Sequence, residues 1–460
     1  MNKNIFILML LIPVSLWAQP DRDHFSPSQY LWENVGNPGF SADSAIYASL
    51  AFSASGQPFV AFQDVANQRK VTVMKFDGSG WSVVGLPGFS AGRAEYISLA
   101  ISPGGQIFVA FSDGGNSDKV SVMIFAGSAW EYVGSPGFSS SGAKDVNLGD
   151  SPTMGLCVAF RDFANGQKAT VMQYSGTTWQ IVGTAGFSAG LALYLRLAFE
   201  PGGLPYVAYQ DYGNLQKATV MRFNQTNWEN VGPAGFTPGK AFCISLPRTP
   251  SVEPYIAYSD EANSYKLTVM KFDDANWLNV GSPGASSGMI EYTSLALSPA
   301  GQPYVAFEDY GEGGKAAMMK FEGSSWVYVG PDGFSSAEAD YISLAFSPDG
   351  KPYVAFEDYG NGGKATVMKY DSVYAGINDK KEVRVSVFPN PADYFITIKF
   401  LNQNNEPKDL EIDDLTGKII FRTNFSSTEI SLNIRDYPAG IYIVKLRTPE
   451  SRIIGKFSKK

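Results

Sequence analysis

Tyrosines recur along this chain at a spacing suited to one shared site. Tyr47, Tyr96, Tyr194, Tyr292 and Tyr341 fall on a single 49-residue period, interrupted by Asp145 and Cys243. The residue before each of them varies, and in three cases it is an acid: Glu95, Glu291 and Asp340. A phenol stacks on the apolar face of a sugar while its hydroxyl makes hydrogen bonds, so a tyrosine rim with scattered carboxylates suits glycan recognition. Two carboxylates are also the basic equipment for cleaving a glycosidic bond. Aromatics that merely pack at a rim are the plainer alternative.

Other catalytic tools are few. The sole histidine, His24, precedes the repeated region, which excludes a histidine triad and a histidine-ligated metal within the repeats. A second periodic pair is Asp64, Asp113, Asp162, Asp211, Asp260, Asp309 and Asp358, each followed six residues later by a lysine, from Lys70 to Lys364. These pairs flank a loop and read as a cross-strand contact or an Asx-turn. Loops such as "DYGNGGK" offer one carboxylate among glycines, short of the roughly 6–8 oxygens that calcium takes. No metal or cofactor is expected from them. The formal charge of −8, without a clustered basic face, excludes nucleic acid as a partner.

The elements that position these residues follow from the tryptophans at 32, 81, 130, 179, 228, 277 and 326, each 49 residues after the last. Each copy holds four strand-like stretches, here named a to d, as in "YTSLALS", "PYVAFED", "KAAMMKF" and "WVYVG". They are aliphatic and aromatic, and glycine, proline and polar clusters separate them. The a–b and c–d links are short enough for hairpins. The d–a link, as in "LPGFSAGRAE", is longer, as a crossing from one sheet to the next requires. The unit is then one propeller blade.

Counted this way, the chain has a lone d strand at Trp32, six full blades and a final a-b-c. The prediction is a seven-bladed β-propeller over residues 19–371, closed by pairing the N-terminal strand with the last blade. A d-a-b-c unit without strand exchange is the alternative, and the loop lengths disfavour it. The leucine and methionine that recur in every copy, such as Leu50 and Met74, read as core. The loops at the start of strand a and the end of strand b share one end of the ring, which makes that end the candidate binding face.

The two ends of the chain carry a different kind of information. "MNKNIFILMLLIPVSLWA" places Lys3 before an apolar run and ends at Ala18, the pattern of a signal peptide over residues 1–18. No segment elsewhere is apolar enough for a transmembrane span. Cys157 and Cys243 fall two blades apart, too far for a disulfide. Residues 372–384 lose the repeat and read as a linker. Beyond it, "VSVFPNPADYFITI", "DLTGKII", "YPAGIYIVKL" and a basic end over residues 385–460 resemble the C-terminal sorting domain of the type IX secretion system of Bacteroidota. The matching positions include Pro389, Asn390, Pro391, Gly417, Lys418, Gly440 and Tyr442. The resemblance implies an immunoglobulin-like sandwich, the type IX secretion machinery as partner, and delivery to the cell surface or medium. The whole chain is thus expected to be all-β. It reads as an exported, non-catalytic binding or adhesion module for an extracellular glycan or protein, with a glycan-cleaving enzyme as the alternative.

Overall fold

The computed structural model describes residues 29–247, 253–373, 385–400, 408–415, 417–427, 429–447 and 452–460. The expected signal peptide at 1–18, His24 and most of the expected linker lie outside the described residues. The protein is all-β, and its regular elements are strands joined by turns and single 3₁₀ turns. The chain divides into two compact units, one spanning Tyr30–Ser372 and the other holding Val373–Lys460.

Seven four-stranded sheets make up the first unit. In the first sheet, strands a to d are Ala45–Phe52, Pro58–Asp64, Lys70–Phe76 and Trp81–Val83, paired antiparallel in chain order. The seventh sheet has strands a to c at Ala339–Phe346, Pro352–Asp358 and Lys364–Val373. Its fourth strand is Gln29–Asn34, which lies next to Lys364–Val373. The strand holding Trp32 therefore supplies the missing d.

The apolar cores lie between sheets, because both faces of each strand meet a neighbour. One core joins Ala61 and Val73 of the first sheet to Leu99, Val109 and Phe111 of the second. Another joins Ala355 and Val367 of the seventh sheet to Val60 and Phe62 of the first, so the series closes on itself. All seven recurrent leucines, from Leu50 to Leu344, are buried.

Two sets of hydrogen bonds repeat around this series. On the inner strands, Ser49 Oγ accepts from the Leu99 amide and Ser98 Oγ from that of Leu148. Ser343 Oγ accepts from Leu50, across the closing junction. On the outer strands each tryptophan Nε1 donates to a valine carbonyl of the preceding sheet, as Trp81 does to Val35 and Trp130 to Val84. Each such bond contributes only about 0.5–1.5 kcal/mol, but the tryptophan bond repeats at all seven junctions.

The recurrent aspartates differ from the ion-pair expectation. Asp64 and Lys70 are opposite in register, yet the carboxylate bonds go elsewhere. Asp64 Oδ2 accepts from Thr72 Oγ1 at 2.7 Å and from Asn67 Nδ2 at 2.8 Å. Among the described residues no ion pair joins these aspartates to the lysines. In six of the seven copies the other oxygen takes the amide two residues on, as Gly115 N donates to Asp113, which completes the Asx-turn. Buried carboxylates prefer near, fixed donors to an ammonium group on a flexible stem.

The C-terminal unit is a two-sheet sandwich. Val385–Phe388, Phe395–Phe400 and Glu429–Asn433 form one sheet, and Lys408–Asp414, Ile419–Phe425, Gly440–Arg447 and Arg452–Lys459 the other. Ile396 and Ile398 of the first pack with Leu410, Ile412, Val444 and Phe457 of the second.

Candidate functional site

Every inner strand carries a β-bulge at the periodic tyrosine position. Ile46 pairs with Gln63 and Ser49 with Ala61, so Tyr47 and Ala48 together face Phe62. The bulge residue is left-handed in all seven copies: Tyr47, Tyr96, Asp145, Tyr194, Cys243, Tyr292 and Tyr341 have φ between 47 and 58°. Side chains other than glycine, asparagine and aspartate rarely occupy this region. The bulge re-aims the side chain out of the sheet alternation. Here the result is a central cavity of about 320 Å³ lined by Tyr47, Tyr96, Asp145, Arg196, Tyr292 and Tyr341.

Four of the five tyrosines form one arc. Ring centroids are 4.9 Å apart for Tyr292 and Tyr341, 4.9 Å for Tyr341 and Tyr47, and 5.2 Å for Tyr47 and Tyr96. All four are half-buried. Tyr194 stands off the arc and meets Phe242 edge-on instead. Burial pushes these phenols upward from their ordinary range, Tyr194 to about 12.

The charged residues near the periodic tyrosines are unevenly distributed among the copies. In the copy after Tyr96, at the end of the arc, Asp145 pairs with Arg161 at 3.0 Å. Burial raises the Asp145 carboxyl, against the pull of Arg161, Arg196 and Lys144. Glu95 lies 3.4 Å from Arg93, which also approaches Asp118, and it is remote from the other candidate acids in repeat order. Acids gather in the sixth and seventh copies. Glu291 is the cross-strand partner of Glu308, and Asp340 that of Glu357. Oxygens of Glu308, Glu338 and Asp340 lie within 4.8 Å of one another. Burial, then the charges of Asp340, Glu291 and Glu338, push Glu308 up to about 8. Burial and the Asp340 charge push Glu357 to about 7.

Two of the three candidate acids, Glu291 and Asp340, therefore belong to a larger group whose buried member is Glu308. That group was missed because its strand-b position reads as ordinary variation: Gln63, Ser112, Arg161, Gln210, Ser259, Glu308, Glu357. The phrase "FED", present only in the last two copies, is the signal that marks it. Also missed were the exposed aromatics that follow the recurrent aspartate, Phe163, Tyr212, Tyr310 and Tyr359. They crown the same face, and the Tyr359 hydroxyl donates to Asp340 Oδ2 at 3.3 Å.

In the C-terminal unit the motif residues hold strand ends. Asn390 Oδ1 accepts from the Ser458 amide at 2.9 Å, and the peptide bonds before Pro389 and Pro391 are cis. Gly417, at φ 82°, and Lys418 make a turn in which the Lys418 amide donates to Asp414 Oδ1. Gly440 opens a strand paired to the chain's final one, and buried Tyr442 donates to the Pro438 carbonyl at 2.8 Å.

Comparison with known proteins adds three findings. A family model described as a secretion system C-terminal sorting domain matches residues 386–460. No curated protein matches the chain. Solved structures similar to it include PorZ of Porphyromonas gingivalis, described as a bacterial surface component of the type IX secretion system, at 15% identity and a TM-score of 0.46. That match covers 91% of this chain, which spans 60% of PorZ. They also include the Aleuria aurantia lectin, described as a six-bladed β-propeller with a fucose recognition mode, at 17% identity and a TM-score of 0.43. There 65% of this chain and 99% of the lectin are covered. Residues 386–460 are a type IX secretion system C-terminal sorting domain, which marks this chain for the cell surface or the medium.

Proposed function

We propose that this protein is an exported, non-catalytic binding or adhesion module that receives an extracellular glycan or protein at a tyrosine-lined mouth. In this reading residues 1–18 are a signal peptide, 19–371 a seven-bladed β-propeller, 372–384 a linker and 385–460 an immunoglobulin-like sandwich read by the secretion machinery. The seven sheets and the two hydrogen-bond sets that run across the closing junction support the blade count.

The observation that carries the binding reading is the arc Tyr292–Tyr341–Tyr47–Tyr96 on the wall of a cavity of about 320 Å³. That volume falls at the small end of the roughly 300–1,000 Å³ of ligand pockets. Flat aromatic faces beside acceptor carboxylates match the amphipathic surface of a sugar. Glycan-array binding by the mature chain, with Tyr292→Ala and Tyr341→Ala alongside, tests it. Binding lost in both supports the mouth, and unchanged binding in both removes it.

One observation favours a second reading, a glycan-cleaving enzyme. Retaining glycosidases hold two carboxyl groups about 5–5.5 Å apart, one with a raised pKa, and the group around Glu308 offers acids at comparable range. Turnover of a bound glycan that disappears in Glu291→Gln or Glu308→Gln would replace the binding reading with this one.

A further inference from the structure

We propose that Glu308, Glu338 and Asp340 form a calcium site where the sixth sheet meets the seventh. Glu308 is the penultimate residue of strand b of the sixth sheet, Pro303–Asp309, and Asp340 is the second residue of strand a of the seventh, with Glu338 two residues before it. One oxygen from each lies within 4.8 Å of the others. The three are graded in depth: Glu308 is buried, Asp340 half-buried and Glu338 exposed. An ion entering from solvent would meet Glu338 first.

A cluster of acids alone would say little, since exposed carboxylates often gather without a ligand. Glu308 is different. Its exposure is 0%, and neither Oε1 nor Oε2 has a hydrogen-bond partner among the described residues. Buried polar groups are nearly always satisfied, and a buried carboxylate without donors is strongly unfavourable. Its neighbours Glu338 and Asp340 supply further negative charge, and the Tyr310 hydroxyl is the one donor near it. A cation is the partner that satisfies all three.

The backbone is shaped to admit this group. Gly314 has φ 75°, and a Cβ there would stand 2.8 Å from Glu308 Oε1 and 3.1 Å from Glu338 Cγ. The same position in the first five copies is Arg69, Asp118, Gln167, Gln216 and Tyr265. Glycine appears only in the two copies whose strand b reads "FED". In the seventh copy Gly363 makes the same room beside Glu357, but the positions matching Glu338 and Asp340 are Ser44 and Ile46. Among the described residues, only one of the seven junctions brings three acids together.

The donor set selects the ion. All three ligands are carboxylates, which suit hard cations over zinc or copper. Calcium takes about 6–8 oxygens in flexible geometry, so three carboxylates of unequal depth plus water can complete its shell. The Tyr359 phenol, donating to Asp340 Oδ2, holds one ligand in place. The proposal does not depend on the glycan reading, because uptake is measured without any sugar.

The test is calorimetric titration of the full mature chain with calcium chloride after chelator treatment, together with melting curves. The expected result is one ion per chain, with Kd near the roughly 0.1–1 mM of extracellular calcium modules, and a higher Tm at saturation. Glu338→Gln, at the exposed edge where folding is not at risk, and Asp340→Asn should each weaken uptake about tenfold or more, as loss of ligand charge does. Glu131→Gln, on an outer strand, should leave it unchanged. No heat and no Tm shift in the unaltered chain would overturn the site, as would full affinity in both ligand variants.

Discussion

The Trp32 indole Nε1 donates to the Val329 carbonyl at 2.7 Å, across 297 residues of sequence. The six other tryptophans of the repeats make the same bond to the sheet before theirs across 46 residues, as Trp179 does to Val133 at 2.7 Å. Trp32 also stacks on Phe334 at 3.8 Å, as Trp130 does on Phe89 at 4.1 Å. The closing junction is built like the internal ones. Trp32→Ala should therefore cost as much as Trp130→Ala, about 3 kcal/mol each, and deletion of residues 26–37 should unfold the whole series of sheets. Chemical denaturation checks both. A deletion that melts like the intact chain would mean that the N-terminal strand does not close the series.

The inner strands have their own link. Ser98 Oγ accepts from the buried Leu148 amide at 2.9 Å. Ser98→Ala leaves that donor without its partner, which costs about 1–3 kcal/mol. The loss should appear as a lower denaturation midpoint with an unchanged slope.

Alkali should act through the half-buried phenols. Tyr194 and Tyr328 are pushed from 10.0 to about 12, chiefly by burial. The folded state holds these protons more tightly than the unfolded one does. Their contribution to stability is thus complete below pH 10 and is lost as the pH rises toward 12. Phenolate absorbance and circular dichroism followed together should show these groups ionising only as the fold is lost. Phenolate appearing near pH 10 for every tyrosine in a fully folded chain would contradict their burial.

Traffic should depend on the C-terminal unit. A chain ending at Ser372 should stay in the periplasm, whereas the full chain should reach the surface or medium. Equal surface display of the two forms, read by protease shaving of intact cells, would contradict that dependence.

The tryptophan period was enough to read the four-stranded repeat and the pairing of the Trp32 strand with Lys364–Val373, because both follow from counting strands. The sorting motifs were equally legible, since they are local and ordered. The bulge at Tyr47 and its six counterparts was not, because a left-handed residue inside an aliphatic strand leaves no mark in composition. The acid group around Glu308 was also hidden. Its members belong to two sheets, and only the cross-strand register of Glu291 with Glu308, and the contact with the next sheet, bring them together. The aspartate–lysine pattern misled in part, because register alone placed the two opposite each other while Thr72 and Asn67 supplied nearer donors.

The most direct test of the binding mouth compares tyrosines on and off the arc. Tyr47, Tyr96, Tyr292 and Tyr341 share one arc on the cavity wall, while Tyr194 packs against Phe242 instead. Each arc tyrosine changed to alanine should weaken binding of an array-selected glycan about tenfold or more, the loss of roughly 1.4 kcal/mol or above, and Tyr194→Ala should leave it near the unaltered value. Equal losses at all five positions, or none at the four of the arc, would contradict the account.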